Sequence, residues 1–110
     1  MRYECDDGSY IEYSDHWSRA ENRAAWQATD DGILDVLRPK IVAMHLLCGD
    51  GSYMDDPAQL TVEALDRIDM RIYLWFAATW VACLNDLANL GNAWRRRLFD
   101  TSGKTETTAA

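Results

Sequence analysis

Residues 72–81 read Ile-Tyr-Leu-Trp-Phe-Ala-Ala-Thr-Trp-Val, and on a helix such a run shows apolar surface in nearly every direction. A helix that is apolar all round has to be covered all round. The fold must therefore wrap this segment, or another chain must supply part of the cover. The nearly apolar run over residues 72–84 is about 13 residues, short of the roughly 20 that a membrane helix needs, so a core helix is expected and a membrane partner is not. Upstream the pattern turns amphipathic, with Leu65, Ile68 and Ile72 facing inward and Glu63 and Arg67 spaced for i,i+4 pairing. Thr61 can cap this helix, and Glu63 lies in its first turn, where the macrodipole favours an acid. The spacing predicts one long helix over residues 62–90, roughly 40 Å at 1.5 Å per residue. Gly91 is its expected stop, with a final short helix over residues 92–99.

The first thirteen residues read as a β-hairpin. A three-residue loop, Asp6-Asp7-Gly8, pairs Tyr3 with Ile11 and Arg2 with Glu12. Tyr3, Cys5, Ile11 and Tyr13 then share one face and the charges take the other, with Gly8 in the left-handed position that closes the loop. A lone hairpin is marginal in water, so its apolar face must lie on helices. Ser18-Arg19-Ala20-Glu21 is a capping box opening a helix over residues 19–29, which Asp30-Asp31-Gly32 breaks. Ile33, Leu34, Leu37, Ile41, Met44 and Cys48 recur at helical intervals, so residues 33–48 are expected to be helical, kinked or split at Pro39; a strand over residues 41–47 is the alternative. Residues 49–59 form a Gly- and Asp-rich loop. The expected fold is mainly α: a single small helical domain over residues 1–100, with an N-terminal hairpin (1–13), one long C-terminal helix and a mobile tail over 101–110.

The formal charge is −7, from 11 Lys+Arg against 18 Asp+Glu, a poor balance for binding phosphate backbones, so no nucleic-acid partner is expected. Charge is unevenly spread: residues 1–66 carry 5 basic and 14 acidic side chains and residues 67–110 carry 6 and 4, which together give the −7. That layout permits head-to-tail association or docking on an oppositely charged partner. Cys5, Cys48 and Cys83 are odd in number and widely separated, as suits reduced thiols in a cytoplasm, and the N-terminal residues lack the apolar core of a signal peptide.

Chemistry is hard to place. The two histidines and three cysteines show no metal-ligand spacing, and the loop from Asp50 to Asp56 lacks the glycine and the bidentate acid of a calcium loop. Ser9, Ser14, Ser18 and Ser52 belong to turns and caps. Asp66 and Asp69 lie one turn apart as a solvated stripe rather than a hydrolytic dyad. The reading is therefore not an enzyme, with no cofactor, metal or small-molecule substrate. The candidate partner-binding residues are the aromatics Trp75 and Trp80 with the neighbouring Leu87 and Leu90, and the basic segment Trp94, Arg95, Arg96 and Arg97.

The middle of the chain resembles the small tail assembly chaperones of long-tailed (siphovirus) bacteriophages. The resemblance is carried by the aliphatic stretch Ile41-Val42-Ala43-Met44-His45-Leu46-Leu47, the loop Gly49-Asp50-Gly51-Ser52, and the helix start Asp56-Pro57-Ala58-Gln59-Leu60-Thr61-Val62-Glu63-Ala64-Leu65. Leu90-Gly91-Asn92-Ala93-Trp94-Arg95-Arg96-Arg97 closes it. It spans residues 30–97 as a pattern of residue classes. Such chaperones are commonly made in two lengths by ribosomal frameshifting, and Gly103-Lys104 is compatible with a slippery codon run. The resemblance implies a host-cytoplasmic protein that coats the tape measure protein, recruits tail tube subunits, self-associates and is absent from the finished particle. The alternatives are a structural head–tail adaptor, which would persist in the particle, and a small hydrolase using Asp66 and Asp69 or the Asp50–Asp56 loop.

Overall fold

The computed structural model describes residues 1–28 and 32–102. It is a mixed α/β domain, mostly helical, in which four antiparallel strands in the order β1-β2-β3-β4 pack against a long C-terminal helix. The strands are β1 (Arg2–Glu4), β2 (Tyr10–Tyr13), β3 (Ile41–Leu47) and β4 (Tyr53–Met54). The helices are α1 (Arg19–Gln27), α2 (Gly32–Leu37), α3 (Val62–Leu65) and α4 (Met70–Ser102), with single 3₁₀ turns at Arg38–Lys40 and Pro57–Gln59.

The hairpin has the register that its apolar pattern selects, Tyr3 opposite Ile11 and Arg2 opposite Glu12. Gly8 closes it at φ +97°, where an L side chain would be strained. The Ser18 capping box is formed in both directions, Ser18 Oγ accepting from the Glu21 amide and the Glu21 carboxylate from the Ser18 amide. Thr29, Asp30 and Asp31, where the break after α1 is expected, lie outside the described residues, as do residues 103–110 with the Gly103-Lys104 pair.

The helical expectation for residues 33–48 holds only as far as Leu37. Pro39 follows in a 3₁₀ turn, and Ile41–Leu47 is a strand in the middle of the sheet. The misleading signal was the three-residue step from Ile41 to Met44, which reads as helical. Pairing with β2 shifts there: Glu12 lies opposite Ala43 but Tyr13 opposite Ile41. Val42 is thus an extra residue in the ladder, a β-bulge. The bulge brings both Ile41 and Met44 to the buried face and leaves Val42 exposed.

The long helix is also placed differently. α3 is a single turn capped by Thr61, whose Oγ1 accepts from the Ala64 amide. Residues 66–69 then leave the helix to satisfy backbone beside β3. The Asp69 amide donates to the Leu47 carbonyl, the Gly49 amide to Arg67, and Ile68 bridges Cys48. α4 begins after Asp69, whose carboxylate accepts from the Arg71 amide at 3.0 Å, so Glu63 and Arg67 do not share a helix. Gly91 does not stop α4, which runs on through Ser102. A mid-helix glycine costs only about 1 kcal/mol, and Ala93, Arg95, Arg96, Arg97 and Leu98 are good helix formers.

The core lies between the sheet and the helices. Ile11, Tyr13, Met44, Leu46 and Met54 from the sheet meet Leu34 and Leu37 of α2, Leu60, and Ile72, Phe76 and Cys83 of α4. Its one buried side-chain hydrogen bond among the described residues that joins sheet to α4 is Tyr13 Oη to Thr79 Oγ1 at 2.9 Å. Thr79 gives its own proton to the Phe76 carbonyl, so the tyrosine is the donor. Burial pushes the Tyr13 phenol above its ordinary value. On the solvent face, Arg2, Tyr10, His45 and Tyr53, one from each strand, stack in a row. The guanidinium lies 3.9 Å from the Tyr10 ring, and the His45 and Tyr53 rings are 3.9 Å apart and 7° from parallel. Asp55 bonds His45 Nδ1 at 2.5 Å. This row holds β4, which at two residues has little ladder of its own.

Candidate partner-binding groove

α4 has 33 residues, about 50 Å at 1.5 Å per residue, in a molecule measuring 59 × 29 × 19 Å. The helix therefore sets the long axis and outruns the body it packs on. Its inward stripe is Ile72, Phe76, Cys83 and Leu84, all buried, followed by the half-buried Leu87. The stripe continues with Leu90 and Trp94, 41% and 59% exposed. Both are left largely open to solvent.

α1 lies alongside the point where the stripe emerges. Its N-terminus is fixed by the capping box and by Lys40, whose ammonium is 2.8 Å from the Glu21 carboxylate. Trp17, just before α1, gives its indole N–H to the Ser14 carbonyl at 2.8 Å. Trp26 of α1 is 55% exposed. Between the two helices runs a groove of about 360 Å³ whose apolar lining is Trp17, Trp26, Leu84, Leu87, Leu90 and Trp94, with Asp15, Arg19 and Asn22 among its polar residues. An apolar channel beside an exposed helix stripe accepts another helix, with indole rings available as anchors.

Of the residues expected to bind a partner, the structure brings Leu87, Leu90 and Trp94 into this groove. Arg95, Arg96 and Arg97 follow on the exposed part of α4. Trp75 and Trp80 do not join them. Trp80 lies over Ala25, Ala28, Ile33 and Leu34 and packs edge-on against Phe76 at 5.3 Å. Trp75 lines a separate depression with Arg2, Tyr3 and Glu4 at the β1 edge. An interface centred on both tryptophans would have to span different faces of α4. Trp17 and Trp26 are the groove residues that sequence reasoning missed. Trp26 sits in a short, mostly polar helix whose buried residue is Ala25, so the helix's own sequence does not say what Trp26 faces.

The acids considered for hydrolysis are engaged in local structure. Asp50 accepts from the Ser52 hydroxyl at 2.6 Å and amide at 2.9 Å, which hold its carboxyl below the usual range. Asp56 caps the 3₁₀ turn at Pro57–Gln59 and Asp69 the start of α4, while Asp66 is exposed at the end of α3. No group of three or more His, Cys, Asp or Glu side chains is arranged to hold a metal ion among the described residues. Cys48 and Cys83 are buried free thiols, Cys5 is half-buried, and burial pushes the Cys83 thiol up to about 11. No helix among the described residues is long and apolar enough to cross a membrane. Comparison of the chain with protein-family models, with curated proteins and with solved structures found no match.

Proposed function

We propose that this protein is a non-catalytic assembly chaperone of the phage-tail kind, which shields an apolar client helix in the groove between α1 and α4. The observation that carries the reading is the continuation of the α4 core stripe beyond the body as exposed Leu90 and Trp94, flanked by the exposed Trp26. Large rings left in water beside an apolar channel are the usual anchors of a helix-in-groove interface. The resemblance of residues 30–97 to tail assembly chaperones names the client as the tape measure protein, whose long apolar helices need cover before tail tube subunits assemble on them. The host cytoplasm is where that work would be done.

The test is co-expression with the tape measure protein of a long-tailed phage, followed by affinity capture. The wild-type chain is expected to keep the client soluble and to co-purify with it. Trp94→Ala and Trp26→Ala are each expected to weaken capture about thirtyfold, the loss of a hot-spot side chain worth about 2 kcal/mol. Capture unchanged in both variants removes the assignment. Mass spectrometry of purified particles separates a chaperone, which is absent, from a head–tail adaptor, which stays.

A further inference from the structure

β1 begins the strand order, so it has a neighbour on one side only. Its hydrogen bonds to β2 fall at odd positions. The Met1 ammonium donates to the Tyr13 carbonyl, the Tyr13 amide to the Met1 carbonyl, and the Cys5 amide to the Ser9 carbonyl. Bonded and non-bonded pairs alternate along an antiparallel ladder, so Arg2 and Glu4, opposite Glu12 and Tyr10, turn their amides and carbonyls to the open edge. Among the described residues no hydrogen bond reaches these backbone groups. The edge borders a flank of α4. Arg2, Tyr3 and Glu4 form one wall of a depression of about 350 Å³, and Trp75, Ala78 and Ala82 of α4 form the other. Ala78 is exposed and Trp75 and Ala82 are half-buried, so the alanines leave room that the Trp75 ring bounds. α4 carries no charged side chain between Arg71 and Asp86, and Arg2 and Glu4 pair with each other at 2.7 Å. The backbone decides what can cover such a place. A helix laid in the depression would shut the Arg2 and Glu4 amides and carbonyls away from water and offer them nothing, because its own backbone groups are bonded internally. Each group so buried costs about as much as a lost hydrogen bond. An extended chain pairs with them instead. Its alternate side chains then point to the α4 flank, where large apolar ones meet Trp75 and fill the space over Ala78 and Ala82.

We propose that the β1 edge is a second binding site, which takes an extended segment of a partner protein as an added strand, with large apolar side chains at alternate positions seated on Trp75, Ala78 and Ala82. The site lies apart from the groove between α1 and α4 and does not depend on the client reading. β1 is three residues long, so the added ladder is short and binding is weak and readily reversed, with a Kd of about 10–100 μM.

NMR titration of the isotope-labelled 110-residue chain with synthetic peptides of about six residues, a typical strand length, tests this without any client. The probe alternates Val or Leu with Thr; the control has the same composition with its apolar residues in one block. The alternating peptide is expected to bind saturably and to shift the Arg2 and Glu4 amides, and the control to bind at least about tenfold more weakly. N-methylation of one alternate set of the probe's amides should weaken binding about tenfold, and of the other set leave it unchanged. Ala78→Arg, with circular dichroism to verify the fold, should weaken it about tenfold by filling the depression, and Trp94→Ala should leave it as it was. No saturable binding, equal effects from the two methylated peptides, or shifts that fall on residues 84–94 in place of β1 overturn the proposal. Arg2 and Glu4 shifts that appear on concentrating the chain without peptide assign the edge to a second copy and overturn it too. A chain that captures its client through Trp94 but takes no peptide at β1 keeps the client reading and loses this one.

Discussion

Phe76 and Trp94 lie on one stripe of one helix, and truncating each should give opposite results. Phe76 is 0% exposed, packed among core residues of the sheet and α2 and edge-on to Trp80. Phe76→Ala removes its transfer free energy and leaves a cavity that the close-packed neighbours fill only in part, at a cost of about 3–5 kcal/mol. Against a total stability of about 5–15 kcal/mol for a domain of this size, that is a large fraction. Trp94 is 59% exposed, so Trp94→Ala should change the stability of the monomer by no more than about 0.5 kcal/mol. Urea unfolding followed by circular dichroism measures both. It should be run at high dilution, since association adds stability by mass action. A loss above about 2 kcal/mol for Trp94→Ala at the lowest concentration would make Trp94 a core residue and refute the division of α4 into a buried half and a docking half.

Two further outcomes test the sheet and the surface charges. His45→Ala removes the middle of the Tyr10–His45–Tyr53 row and the partner of Asp55; hydrogen exchange at the β4 amides should quicken about tenfold while the core amides hold, because β4 opens locally. Asp15, Glu21 and Asp50 are held below their ordinary values by the N-terminal ammonium, Lys40 and Ser52 respectively. Depressed folded-state values give stability that is fully present above the ordinary values of 3.8 and 4.5 and is lost as the pH falls below them through the lowered folded-state values. Calorimetry should therefore show a steady Tm at higher pH and a decline on acidification below 4.5; a Tm rising with acid contradicts the pairing.

Local chemistry was legible in the sequence and competition between segments was not. The Tyr3–Ile11 register, the Gly8 turn, the Ser18 capping box and the Thr61 cap follow from residues within a few positions of one another, and each is present. β3 was misread because a bulge at Val42 turns a period of two into an apparent helical step, and the bulge exists only in the pairing with β2. Likewise residues 66–69 have an acceptable helical pattern in isolation, but the backbone beside β3 recruits them. Gly91 was overweighted as a stop: glycine ends a helix when the chain beyond it turns away, and here good helix formers continue it. Of the groove, Leu87, Leu90 and Trp94 were legible as apolar residues late in a helix. Trp17 and Trp26 were not, because what brings them there is the placement of α1 beside α4, a tertiary fact.

The most direct test of the account is amide hydrogen exchange on the chain with and without the tape measure protein. If the groove between α1 and α4 holds the client helix, added protection falls on residues 84–98 and around Trp26, and the β1 edge beside Trp75 is unchanged. Binding that protects the Trp75 face and leaves residues 84–98 exchanging as before would contradict it.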